Sequence, residues 1–181
     1  QFQRGWLRRR PRIDVGLWQC GWQHWPAFEP HHYLKLPHMI AATNYVATVD
    51  GQLVAHVAVS TRSRSEARAC RLVVMPEWQG AGVGLRFLDA VCELRRSGAN
   101  RYGRPMPTLF HTSHPGLASA LRRSARWTQA PARLGGESKQ RSLASMRLSS
   151  ARNGTTATGA GYGGHFRAVQ GFRYLGAPPC E

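Results

Sequence analysis

A chain of 181 residues that is 42% hydrophobic suits one domain with a real core. Its 25 Lys and Arg outnumber 9 Asp and Glu, for a formal net charge of +16, so its surface attracts polyanions and repels polycations. No apolar run approaches the roughly 20 residues of a membrane-spanning helix, and no membrane partner is expected.

In chain order, Arg4, Arg8, Arg9, Arg10 and Arg12 lead into no apolar stretch, so no signal peptide is expected and a cytoplasmic location is. Residues 1–30 read as a basic, aromatic segment that packs on the domain or leads into it, with a β-prone run at 13–18 and a short helix or turn at 22–28. Interleaved Trp and Arg can stack on bases, although tryptophan in a small domain more often serves a core or a lid. A core is expected over 31–132. Within it, β-rich runs at 45–49 and 53–59 flank Asp50-Gly51, a hairpin signal. Residues 62–68 read as a polar connection, and 69–74 as the third strand of the same sheet. A helix is expected over 82–96, with Phe87, Leu88, Val91 and Cys92 toward the sheet and Arg86, Arg95 and Arg96 outward. Residues 108–112 read as a strand. Ser113-His114-Pro115 then starts a helix, with Pro115 at its first position, that runs to about Ser124; Trp127 packs behind it. Residues 133–164 read as a variable loop region, and 165–181 as a closing strand near Phe172 with a tail.

The four cysteines are widely spaced with no C-x-x-C pair, so thiols buried in a reducing compartment are expected, Cys70 in a strand and Cys92 in a helix. Cys20, His24, His31 and His32 match no metal-ligand spacing, and no metal is expected.

The informative stretch joins the third strand to the long helix: Leu72-Val73-Val74-Met75-Pro76-Glu77-Trp78-Gln79-Gly80-Ala81-Gly82-Val83-Gly84. A strand that feeds a glycine turn and opens into a helix aims several main-chain N–H groups, and the positive end of the helix dipole, at one point. That point suits a phosphate. Glycine lets the chain bend through positive φ and approach a ligand closely. Gln79 offers an amide donor at the loop entrance, and Arg86 a guanidinium one turn in. A Walker A loop would need Gly-Lys-Ser/Thr where Gly84-Leu85-Arg86 stands. A dinucleotide fingerprint would space its glycines differently and needs a later acidic residue that is missing.

The spacing Gln79-x-x-Gly82-x-Gly84 after an apolar strand resembles the diphosphate-binding signature of the GNAT superfamily of acyl-CoA N-acyltransferases. The order of hairpin, strand, glycine loop, helix, strand and helix is similar to that family's core. The resemblance implies an α/β (α+β) fold: a mixed, mostly antiparallel sheet, splayed where acyl-CoA binds and flanked by helices. It implies acetyl-CoA as cosubstrate and transfer of acetyl to an amine acceptor by direct attack in a ternary complex. Carried over, Leu72, Val73 and Val74 would present backbone to the pantetheine arm, while Gln79, Gly80, Ala81, Gly82, Val83, Gly84, Leu85 and Arg86 would hold the diphosphate. The family often uses a glutamate base and a tyrosine acid on the helix after the splayed strand. Here that helix has no tyrosine, which leaves Glu66, Ser113, His114 and Tyr33 as catalytic candidates. Each has a plainer reading: a solvated carboxylate for Glu66, a helix cap for His114. Two alternatives stay open: a basic module on this scaffold that binds nucleic acid or an acidic partner through its arginine-rich surface, and a catalytically silent acyl-CoA binder.

Overall fold

Asp50 and Gly51 both take positive φ, +49° and +78°, as the tightest hairpin turn requires, and they join β2 (Ala42–Val49) to β3 (Gln52–Ser63) in antiparallel register. In this computed structural model the described residues are 12–33, 38–39, 41–135 and 167–176, with 144, 147, 148, 151, 152 and 154. The arginines at 4–10, most of the expected loop region and Cys180 lie outside them.

Among the described residues, seven strands form one sheet in the order β1-β2-β3-β4-β5-β7-β6. β1 (Gly16–Cys20) pairs antiparallel with β2 at one edge. β4 (Glu66–Val74) follows β3 through a two-residue turn, so most of the polar stretch expected as a connection is strand. The end of β3 is exposed, and its side chains there carry no apolar alternation, although the backbone ladder continues. β5 (Thr108–Thr112) lies parallel to β4; every other neighbouring pair in the sheet is antiparallel. β7 (Arg167–Tyr174) inserts between β5 and β6 (Trp127–Gly135). Trp127 therefore opens a strand as well as packing in the core. Pro131 hid that strand from sequence; it sits at a register shift on an edge, where a missing N–H is tolerated.

Residues alternate between the two faces of the sheet. Tyr45 and Ala47 join the main core with Phe87, Leu88, Val91 and Cys92 of α2 (Val83–Arg96) and with Ala118 and Leu121 of α3 (Pro115–Arg123). Val46 and Val73 form a smaller cluster with Trp25 and Phe28 of α1 (Trp25–Phe28), a short helix between two 3₁₀ turns. The apolar stripe of α2 is placed as its spacing predicts. Arg95 is not: it is 1% exposed, its guanidinium 6.0 Å from the Tyr45 ring, so its long stem fills core space that counting outward positions had assigned to solvent. Asp89 is also buried and accepts a 2.6 Å hydrogen bond from Trp127 Nε1, joining α2 to β6. Cys92 is buried and Cys20 and Cys70 are half-buried; burial raises the pKa of all three thiols. Among the described residues no cluster could hold a metal ion, and no helix is long and apolar enough to cross a membrane.

Candidate functional site

The two parallel strands at the centre of the sheet stay together only briefly. β4 and β5 pair at Ala67 with Thr108, Arg68 with Leu109 and Ala69 with Phe110; past Phe110 no further pair forms. The opening between them continues into a cleft of about 620 Å³. Its β4 wall is Arg71, Leu72, Val73 and Val74; its β5 wall is Phe110, His111 and Thr112. Gly116, Leu117, Ala120 and Arg123 of α3 and the turn at His31, His32 and Tyr33 complete the sides. The glycine turn stands at one end.

That turn is built as its composition requires. Gly80 and Gly82 take φ of +82° and +81°, where a β-carbon is strained. Gly84 is needed for a different reason: a β-carbon there would lie 2.7 Å from Val74 Cγ2, so only glycine lets α2 start this close to β4. Gly82 is the N-cap of α2; among the described residues no side chain caps the helix, and no acidic residue stands in its first turn. The first main-chain bond runs from Arg86 N–H to Gly82 O at 3.3 Å. The N–H groups of Val83, Gly84 and Leu85 therefore have no partner within the helix.

The expected site residues distribute unevenly. Tyr33, Leu72, Val73, Val74, Gln79, Gly80, Gly82, Gly84, Leu85 and His114 border the cleft. Ala81, Val83 and Arg86 border a second pocket of about 390 Å³ behind the turn, with Arg12, Ile13 and Phe87. The Gln79 amide donates to Val74 O at 3.0 Å, which ties the turn to the end of β4. Glu66 and Ser113 do not border the cleft. The Glu66 carboxylate is shared between Arg62 and Arg173, 3.0 Å from Arg173 Nη2, in keeping with a structural carboxylate. His114 is the N-cap of α3, its Nδ1 accepting from Leu117 N–H at 3.2 Å. That bond fixes the neutral ring's proton on Nε2, so its outer nitrogen donates. Tyr33 is exposed and its ring lies 4.8 Å from that of His32.

Two cleft residues went unnoticed in the sequence. His111 is the first residue of β5 past its last pair with β4, and its ring lies over Gly171 of β7, where a β-carbon would come within 3.1 Å of Nε2. The absence of a side chain at position 171 was the one available signal. Arg71 takes φ of +53° at a bulge, where His56 faces Val73 but Ala58 faces Cys70. Its carbonyl accepts a 3.4 Å hydrogen bond from His56 Nδ1, and His56 Nε2 lies 3.3 Å from Asn44 Oδ1. Burial lowers the His56 pKa to about 4 and also lowers that of Arg71.

The family model for the acetyltransferase (GNAT) domain matches residues 41–127, which hold the hairpin, β4, the glycine turn, α2, β5 and α3. The ribosomal-protein-S18-alanine N-acetyltransferase from Escherichia coli shares the fold with a TM-score of 0.57 at 15% identity, covering 92% of this chain and 97% of that one. A GNAT family acetyltransferase from Elizabethkingia anophelis, solved with acetyl-CoA bound, gives 0.54 at 8% identity, covering 88% and 97%. IAA acetyltransferase from Bacillus cereus gives 0.54 at 12%, covering 89% and 99%. At these identities the likeness is one of fold. No curated protein sequence matches the chain.

Proposed function

This chain carries an acetyltransferase (GNAT) domain over residues 41–127, and from that premise we propose that it transfers an acetyl group from acetyl-CoA to a primary amine, by direct attack in a ternary complex. The observation that carries this reading is the uncapped, glycine-lined start of α2 at the end of a cleft between two strands that stop pairing. A diphosphate supplies what that helix end lacks, an acceptor for its N–H groups and a negative charge at its dipole. The main chain of residues 80–85 serves that role, and Leu72, Val73 and Val74 offer the pantetheine arm the strand edge that β5 leaves open. Arg86 adds positive charge on the flank of the turn.

Transfer needs a neutral amine. Its nitrogen attacks the thioester carbon, a C–N bond forms, the C–S bond breaks, and the leaving thiolate takes up a proton. Among the described residues bordering the cleft, the groups suited to move protons are imidazoles and one phenol. In this reading His111, at the mouth of the splay, takes the amine proton directly or through water. His114 steadies developing negative charge through its Nε2–H, and Tyr33 returns a proton to sulfur. Glu66 and Ser113 take no part.

Thiol release from acetyl-CoA across a panel of amines tests the proposal. Amine-dependent release is expected, with a loss of about 10²–10⁴ in kcat for His111→Ala, as befits a general base. Stabilisation by CoA with no release on any amine marks a silent binder instead. Steeply salt-dependent polynucleotide binding marks the basic-module alternative.

A further inference from the structure

Six arginines gather where β4 begins, at the opposite end of that strand from the glycine turn. Arg62 ends β3 and Arg64 stands in the turn after it, Arg68 is on β4, Arg101 and Arg104 are in the loop between α2 and β5, and Arg173 is on β7. All six are exposed. Contacts join them into one surface. Arg62 and Arg173 share the Glu66 carboxylate, and Arg104 donates to the carbonyl of Arg64. Arg101 donates to Tyr102 Oη at 2.7 Å, and that oxygen lies 2.8 Å from Thr61 Oγ1 on β3. Among the described residues, Glu66 is the one carboxylate in ion-pair contact with any of the six; Glu93, on the last turns of α2, pairs with Arg96. Six guanidinium charges therefore stand against one carboxylate.

Such a surface attracts a polyanion, and two features favour a nucleic acid over an acidic polypeptide. Every cation in it is an arginine, whose planar fork meets phosphate through paired N–H groups and also stacks on flat rings. Tyr102 is 40% exposed, and the Arg101 guanidinium lies 4.9 Å from the centre of its ring. A flat aromatic platform thus stands among the charges. Cations interleaved with an exposed ring suit a phosphodiester chain and its bases, whereas a run of carboxylates needs no ring.

We propose that this end of the sheet binds single-stranded nucleic acid, with phosphates on Arg64, Arg68, Arg101 and Arg104 and a base stacked on Tyr102. The residues come from three separate stretches of the chain, so no basic run in the sequence marks the surface. The cleft opens at the other end of β4, bordered there by Arg71 to Val74, so the inference does not rest on the transferase reading. One molecule can do both.

The test is fluorescence anisotropy of a labelled, mixed-sequence single-stranded RNA. At about 100 mM salt the triple variant Arg64→Ala, Arg101→Ala, Arg104→Ala is expected to bind at least ~10-fold more weakly, with a salt slope shallower by about 2. A control that removes the same charge ahead of β1, Arg8→Ala, Arg9→Ala, Arg10→Ala, is expected to lose less. Tyr102→Leu is expected to weaken binding about 5–100-fold, and Tyr102→Phe to keep most of it. Equal loss in the two triple variants, no loss in the first, or wild-type binding by Tyr102→Leu overturns the proposal. Poly-L-glutamate that competes as well as unlabelled RNA assigns the surface to an acidic polypeptide and overturns it too. Should the first triple variant fail to fold, Arg64→Gln and the two Tyr102 variants decide by the same measures. Thiol release with amines is read separately. RNA binding that depends on these residues, with no release on any amine, leaves this inference standing and defeats the transferase reading; release without RNA binding does the reverse.

Discussion

Gly80, Gly82 and Gly84 lie within five residues and answer to two physical demands. At Gly80 a β-carbon would meet nothing within 4 Å, so only the left-handed φ resists substitution. Gly80→Ala is expected to cost about 1–2 kcal/mol of stability, seen in thermal or denaturant unfolding. Gly84→Val drives a side chain into Val74 Cγ2 and pushes the start of α2 away from β4. It is expected to weaken coenzyme A binding by at least ~10-fold in calorimetry, with a smaller effect from Gly80→Ala. His56 gives a pH signature. Its folded pKa of about 4 lies below the ordinary value of 6.5, chiefly through desolvation, so the unfolded chain gains a proton first as pH falls. The stabilisation is whole above pH ~6.5 and is lost progressively toward pH ~4, by up to roughly 3 kcal/mol. Urea unfolding across that window should show the slope, and His56→Gln should flatten it. The glycines were legible in the sequence because their chemistry is local. Arg71 and Arg95 were not: a bulge and a buried stem depend on what the neighbouring elements leave open.

At the scale of elements, the strongest periodicities were the most readable. The Asp50-Gly51 hairpin, the strand at Thr108–Thr112, the stripe on α2 and the Pro115 start of α3 all follow from turn chemistry or spacing. The polar end of β3 and the proline-bearing β6 were missed, because a strand outside the core or on an edge shows little apolar alternation. Glu66 reads as a candidate base from its place at the start of β4. The partners that engage it, Arg62 on β3 and Arg173 on β7, become neighbours only when the sheet assembles. The α2–β6 junction depends on a polar contact inside the core. Trp127→Phe keeps an aromatic ring but shrinks it and removes the Nε1 donor from a buried Asp89 carboxylate, leaving Arg126 at 3.9 Å as its remaining charged partner. A destabilisation of about 1–3 kcal/mol is expected in denaturant unfolding.

Across the whole molecule, the splay between β4 and β5 opens a cleft in a continuous sheet, and in the proposed reading the glycine turn at one end of it holds an anion. A formal net charge of +16 adds a long-range attraction for a polyanionic cosubstrate. Coenzyme A affinity is accordingly expected to fall several-fold between 50 and 500 mM salt, as the Debye length shortens from about 14 to 4 Å. The fold was legible because one motif fixed the order of elements around it. The side proposed for the acceptor was not, since that part of the cleft is assembled from the turn at His31–Tyr33, a bulge and a strand end that are far apart in sequence. The most direct measurement is calorimetry of coenzyme A against pantetheine, which lacks the diphosphate. Main-chain N–H groups at the start of α2 that hold a diphosphate predict binding at least ~100-fold tighter for coenzyme A, with the advantage largely lost in Gly84→Val. Equal affinity for the two compounds, or an advantage untouched by that substitution, would contradict the account.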